Sequence, residues 1–388
     1  MKKLDRHIIH VLTVLFCFSS CIESFVPDLH GSADDIYVVS GEVTDKAGYQ
    51  KVTVSKASVI EAPVYVPAEG CVLTIEDNEG NAFYMTEDGA GEYKVWIDQS
   101  YLQAGKSYRL RLITPLGDEI ISSYDRMPSG AYLDSVYYQR EEVTDEVTGI
   151  SNLGIQFYVD FNGSESDSRY YRWTAEETWE YHSAYAIEYY YDGNWHTVDP
   201  PDSSLMVCWE TLMAPEIFLL STLNLTSNAV KGKRLHFVDN TTTKLYEGYS
   251  VLIRQHALSE EASLYWENMR INGESGGGLY EKQPLPVSGN LENISNPGKK
   301  VLGFFGASSV SERRLFLTGI RDMGIFYDAV CSYYSLGKFR WREFSKYDYP
   351  VYYFYPFYGI PVVQIIDKSC VDCRSIGGTL VKPDFWPQ

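Results

Sequence analysis

Positive charge is scarce in this chain of 388 residues. It carries 33 Lys and Arg against 52 Asp and Glu, a formal net charge of −19. Gripping nucleic-acid phosphates needs clustered cations, so a nucleic-acid role is excluded. No stretch of eighteen uninterrupted apolar residues occurs, so no segment reads as a membrane-spanning helix. Histidine is sparse, and His30, His182, His196, His236 and His256 form neither an HExxH nor an HxH pattern. There is no GxSxG nucleophile elbow. Gly276-Gly277-Gly278 lacks the Lys and Ser of a phosphate loop, and the acidic loop Asp88–Glu92 does not fit the EF-hand template. Among so many acids a chance carboxylate pair carries no glycosidase signal. The residues therefore predict no catalytic group, no cofactor and no metal site.

Apolar and aromatic residues are plentiful: 45% of the chain is hydrophobic, with 32 Tyr, 17 Phe and 8 Trp. That excludes general disorder, and the length suggests two or three domains.

The first residues read as an address. Lys2, Lys3 and Arg6 form a basic start, Ile8 to Phe18 an apolar stretch of signal-peptide length, and Phe18-Ser19-Ser20-Cys21 a lipobox-like close. Cleavage before Cys21 would leave its thiol carrying lipid, and several acyl chains anchor a protein durably without a spanning helix. Loss of residues 1–20 removes Lys2, Lys3, Arg6 and Asp5, leaving 30 basic and 51 acidic residues and a formal charge of −21. With Cys17 gone and Cys21 acylated, five cysteines remain: Cys71, Cys208, Cys331, Cys370 and Cys373. Outside the cytoplasm these are disulfide candidates, and the odd count leaves at least one unpaired within the chain.

Residues 21–35 read as a tether. From there to residue 130, short segments rich in Val, Ile, Tyr and Thr alternate with turn signals. They are Ile36–Thr44, Lys51–Ala57, Cys71–Glu76, Asn81–Thr86, Glu92–Ile97, Lys106–Thr114 and Glu119–Tyr124. Asp77-Asn78-Glu79-Gly80, Asp88-Gly89-Ala90-Gly91 and Pro115-Leu116-Gly117-Asp118 separate some of them. This predicts a β-sandwich of immunoglobulin or transthyretin type over 36–130, closed by Pro128-Ser129-Gly130. Residues 131–388 read as a larger β-rich domain. In Arg169–His182 one parity holds Tyr171, Trp173, Ala175, Trp179 and Tyr181, while Arg172, Thr174, Glu176, Thr178, Glu180 and His182 hold the other. Asp192-Gly193-Asn194 marks a hairpin between Ile187–Tyr191 and Trp195–Val198. Further strands are expected at Asn152–Phe161, Leu235–Asn240, Tyr249–His256, Lys300–Ala307, Arg314–Ile320 and Val351–Phe357. One helix is expected: Ser259 can cap it, Glu260 and Glu261 suit its positive end, and Ala262, Tyr265, Trp266 and Met269 form an apolar stripe. The fold class is mainly β with one short helix.

Two features invite a site. In Cys370-Val371-Asp372-Cys373 a redox pair would need a βαβ setting and a zinc site two more ligands. Structural disulfide bonding is the better reading, with Cys208 and Cys331 both open as partners. The Tyr347–Tyr358 tract carries Tyr347, Tyr349, Tyr352, Tyr353, Tyr355 and Tyr358. It is either a binding surface, because tyrosine offers an apolar face with a polar tip, or a core or rim strand that Pro350, Pro356 and Pro361 limit to a sheet edge.

Particular stretches also resemble a known family. They are Tyr249–Ser259 with Tyr265-Trp266-Glu267-Asn268, and Gln283-Pro284 followed by Val287-Ser288-Gly289-Asn290. Val301-Leu302-Gly303-Phe304-Phe305 with Ala307-Ser308-Ser309-Val310 follows, then Asp372-Cys373-Arg374 and the ending Lys382-Pro383-Asp384-Phe385-Trp386. Together with the lipobox they resemble a Bacteroidota lipoprotein family known only as domain of unknown function 4249. That family often carries a Cys where Asn293 falls, and more basic residues before the final Pro-Asp-Phe-Trp. The resemblance implies an outer-membrane lipoprotein, often encoded beside TonB-dependent receptors, with no enzymatic activity. The expected partners are the outer membrane, through lipid, and a TonB-dependent barrel; the alternative is a free-standing receptor for glycans or peptides. A Bacteroidota source would also make Asp134-Ser135-Val136 similar to that phylum's O-glycosylation motif, with Ser135 as acceptor. Glu23 beside Cys21 favours the cell surface over the periplasm.

Overall fold

A computed structural model describes residues 36–58, 64–144, 148–274, 287–318, 320, 331–335, 344–354 and 364–387. The expected leader, Cys21 and the expected tether lie outside the described residues, as do Tyr355 and Tyr358.

The protein is mainly β. Its backbone is a ten-stranded sheet, whose main path runs Val207–Met213, Tyr170–His182, Gly248–Leu258, Val301–Thr318, Tyr37–Thr44, Gly48–Lys56, Glu92–Ile97, Thr86–Gly89. Neighbours on this path are antiparallel, except that Tyr37–Thr44 runs parallel to Val301–Thr318, with Tyr37 opposite Val301.

Two smaller sheets cover the two ends of one face. A six-stranded sheet contains Leu291–Asn293, Glu119–Ser122, Ser107–Ile113, Val72–Asp77 and Ala82–Tyr84, with Asp125–Arg126 beside Ser107–Ile113. Its Leu73, Ile75, Leu110, Leu112 and Ile120 meet Val39, Val52, Val54, Tyr93 and Ile97 of the long sheet, all of them 0–1% exposed. This is the sandwich, with alternation placing every second side chain inward. A fully buried aliphatic side chain contributes roughly 1.5–3 kcal/mol. At the other end the three-stranded sheet Tyr132–Thr144, Ser151–Asn162, Ala229–Asp239 packs Ile155, Phe157, Val159 and Phe161 onto Tyr171, Trp173, Tyr249, Val251 and Ile253. The parity in Arg169–His182 is kept: Tyr171, Trp173, Ala175, Trp179 and Tyr181 are all buried.

The two cores share one long sheet, and the sandwich core draws residues from both sides of residue 130. Leu291, Phe305 and Ala307 complete the sandwich core from the far side of that residue, and Val301–Thr318 passes from one core to the other. Its middle read as a gap between two strands because Ser308, Ser309 and Ser311 are polar. Ser308 and Ser309 are nonetheless buried and bonded, Ser309 Oγ donating to the Pro128 carbonyl and Ser308 Oγ meeting His256 Nδ1 at 3.1 Å. The helix spans Glu260–Glu274, and Ser259 Oγ accepts the Ala262 N–H at 3.1 Å as its cap.

Candidate functional site

Cys208 bonds Cys373 and Cys331 bonds Cys370, while Cys71 is free and buried. The CxxC does not close on itself: its two sulfurs staple the tail to two different places. Tyr181 Oη donates to the Cys373 carbonyl at 2.9 Å, and Trp209 and Thr379 exchange backbone hydrogen bonds. Gly378 sits so tightly that a Cβ there would meet Tyr181 Oη at 2.0 Å and the Cys208 Cβ at 2.7 Å. Asp372, between the cysteines, accepts two bonds from the Arg374 guanidinium, both at 2.9 Å, and is held below the usual carboxylate range chiefly by them.

The stapled region is a five-stranded sheet ordered Trp195–Asp202, Ile187–Tyr191, Val351–Phe354, Gln364–Ile366, Tyr333–Ser335. This bears out the reading of a core strand for Tyr352 and Tyr353 and corrects its placement at a sheet edge. Val351–Phe354 is the central strand, not an edge, because Pro350 ends before the ladder begins. Tyr352 and Tyr353 are 7% and 3% exposed, so neither can form an interface. Tyr349 is half-buried and packs edge-on against Tyr191 at 5.5 Å. Tyr347 alone among the described members of the tract is fully exposed. The open aromatics lie elsewhere. Trp195 rests on Tyr353 at 4.6 Å, and on the long sheet the cross-strand pair Tyr49 and Trp96 meets edge-to-face at 5.3 Å, each more than half exposed.

Two buried ionic clusters flank the junction of the cores. In the first, Arg172 Nη2 donates to Glu42 Oε2 at 2.8 Å, His256 Nδ1 lies 3.2 Å from Glu42 Oε1, and the Arg172 guanidinium covers the Trp266 ring at 4.1 Å. Burial opposes ionisation of Glu42, but the charges of His256 and Arg172 outweigh it and hold the carboxyl well below its ordinary range. Beside it is a concavity of about 210 Å³ lined by Glu42, Lys51, Arg172, Tyr265, Trp266 and Phe304, among others. In the second, Glu177 receives Tyr249 Oη at 2.8 Å and Lys244 Nζ at 2.9 Å and pairs with His236 Nε2 at 3.1 Å. His236 Nδ1 faces Glu216 at 3.2 Å. Burial disfavours the charge on both partners. Their bonds prevail, bringing Glu177 down to about 2 and His236 up to about 9. The sequence held a signal for this cluster: Glu177 is the one acid on the otherwise apolar parity of Tyr170–His182. Nothing local marks Glu42 and Arg172 as partners.

Ser135 is half-buried, next to the exposed Asp134, where the pairing of Tyr132–Thr144 with Ser151–Asn162 shifts register. Asn293 is buried and its Oδ1 accepts the Asn296 N–H at 2.7 Å. Among the described residues no group of three or more His, Cys, Asp or Glu is arranged to hold a metal ion.

Fold and staples together define a disulfide-braced, two-core β protein. The model of the family described as Domain of unknown function (DUF4249) matches residues 22–314, from the residue after Cys21 into the strand that joins the two cores. The chain belongs to this family. No curated protein matches the chain.

Proposed function

We propose that this chain is a lipid-anchored protein of the outer membrane that acts as an accessory subunit of a TonB-dependent transporter or a related envelope complex. The carrying observation is the ordered sequence of basic start, apolar stretch and Phe18-Ser19-Ser20-Cys21 just ahead of a disulfide-stapled fold. Two disulfides suit an oxidising compartment outside the cytoplasm. The family match opening at Ile22 supports Cys21 as the first residue of the mature chain. The fourteen residues from Ile22 to Asp35 reach at most about 50 Å when extended, which holds the folded part close to a neighbouring barrel. The reading assigns the folded part to the cell surface, a binding rather than catalytic role, and Ser135 as the O-glycan acceptor.

The test is mild detergent extraction of a C-terminally tagged chain. A TonB-dependent barrel should co-purify in near-equal amount, and Cys21→Ser should release the protein from sedimenting membranes and lose the barrel. Repeated recovery of the tagged lipoprotein with no barrel overturns the reading. A second reading, a free-standing receptor for glycans or peptides, is favoured by the exposed Tyr49 and Trp96 rings. It predicts loss of ligand binding on Trp96→Ala with the barrel still bound.

A further inference from the structure

We propose that the groove along the outer side of the Glu260–Glu274 helix binds a single-chain fatty acid, its carboxylate at Lys233 and its alkyl chain along Phe218 and Leu264. This rests on neither the transporter partnership nor the aromatic surface.

The groove is two concavities of about 580 and 410 Å³ that share Ile217, Phe218 and Arg270. Both fall in the range of about 300–1,000 Å³ usual for small-molecule sites. One wall is the strand Phe218–Ser221, which pairs with Tyr170–His182; the other is the helix. Their apolar side chains are left partly open. Leu264 is 59% exposed and Met269 36%, and Ile217, Phe218, Leu219 and Leu220 are half-buried. Met269 belongs to the helix's apolar stripe, yet it points to this groove rather than into either core.

Lys233 lies on the strand Ala229–Asp239 and lines the larger concavity. It has no ion pair among the described residues. Burial, and then the nearby Arg270 charge, lower its pKa. Arg270 is already matched, since its guanidinium makes two bonds to Glu267 at 3.0 and 2.6 Å. Glu216, on the smaller concavity, is paired with His236. The neighbouring charges are therefore balanced, and Lys233 is the one left over. A part-buried cation without a counter-ion costs stability unless something anionic joins it. A ligand with one negative charge and an apolar chain satisfies both deficits, the lone ammonium and the uncovered Leu264, Phe218 and Met269. A doubly charged phosphate head would also face Glu267 and Glu216, so a carboxylate is the better fit.

The test uses the full-length acylated protein in its own membrane, a diazirine-bearing dodecanoate and the methyl ester of that probe, with labelled peptides mapped by mass spectrometry. The acid should label residues 215–221 and 264–270 about tenfold more than the ester, and excess plain dodecanoate should compete it away. Lys233→Met keeps the stem and removes the charge. It should bring acid labelling down to the ester's level while raising the melting temperature of the unliganded protein, a rise that excludes misfolding as the cause. Equal labelling by acid and ester, absence of label from both segments, or unchanged labelling in Lys233→Met overturns the proposal. Dodecyl phosphate competing better than dodecanoate overturns the carboxylate assignment.

Discussion

Around the sandwich core the long sheet and its six-stranded partner exclude water with Val39, Val54, Leu73, Ile75, Leu110 and Leu112, and no ion pair lies among them. Under the Tyr170–His182 strand, the second core accommodates Glu177, His236 and Tyr249 as well as Trp173 and Phe157. The first core holds its one thiol, Cys71, free; beside the second, two disulfides fasten the tail. One sheet thus carries two different bases of stability. An apolar cluster responds chiefly to side-chain volume, whereas an ionic cluster depends on the protonation of each partner and loses heavily when one partner goes. At the sandwich margin buried Asp125, which burial raises to about 6, adds a titration below the window of His236.

The largest test of that contrast is covalent. Replacing Cys208 and Cys373 together by Ser should cost about 4–5 kcal/mol in denaturant unfolding, because the bond closes a separation of 165 residues. Cys71→Ala in the sandwich should cost about 1 kcal/mol. Equal losses would show that the staple adds nothing beyond ordinary packing.

Next comes pH. His236 is raised from its ordinary 6.5 to about 9, so its contribution is complete below pH 6.5 and is lost as pH climbs through 9. Glu177, lowered from 4.5 to about 2, contributes above pH 4.5 and fails as pH falls through 2. Stability should therefore fall by roughly 2–3 kcal/mol between pH 6.5 and 9. His236→Gln should flatten that slope and lower the value at pH 6.5. Leu110→Ala should lower the whole curve without altering its slope, and a changed slope in that variant would refute the division between the cores.

The smallest effect is expected at the helix. Ser259→Ala removes the cap on Ala262 N–H and should cost about 1 kcal/mol in denaturant unfolding.

Local pattern carried most of the strands. Glu92–Ile97 and Ile187–Tyr191 fall where alternation and turns put them, and Ser107–Ile113 and Tyr170–His182 within a residue at each end. The helix begins after its expected cap. What local pattern could not carry is pairing between distant segments. The parallel partnership of Tyr37–Thr44 with Val301–Thr318 leaves no mark in either segment, so residues 36–130 read as a self-contained domain. The edge placement of the tyrosine tract fails for a related reason. Tyr suits a core and a surface equally, and the neighbours that bury Tyr352 and Tyr353 come from Ile187–Tyr191 and Gln364–Ile366. Cysteine count foresaw one unpaired thiol, but connectivity had to come from three dimensions. The Lys233 groove had no motif at all, since an uncompensated charge is visible only once its surroundings are known.

The strand that joins the cores has a consequence for how the protein is made. Val310 N donates to Asp45 Oδ1 across 265 residues of chain, and Phe305 and Ala307 fill the core begun by Val39 and Val54. The first strands cannot complete their sheet until the chain has been made at least through Val301–Thr318. High contact order slows folding, and here it postpones the closing step until late in synthesis. A chain built this way commits to its native form only once both ends of that long pairing are present.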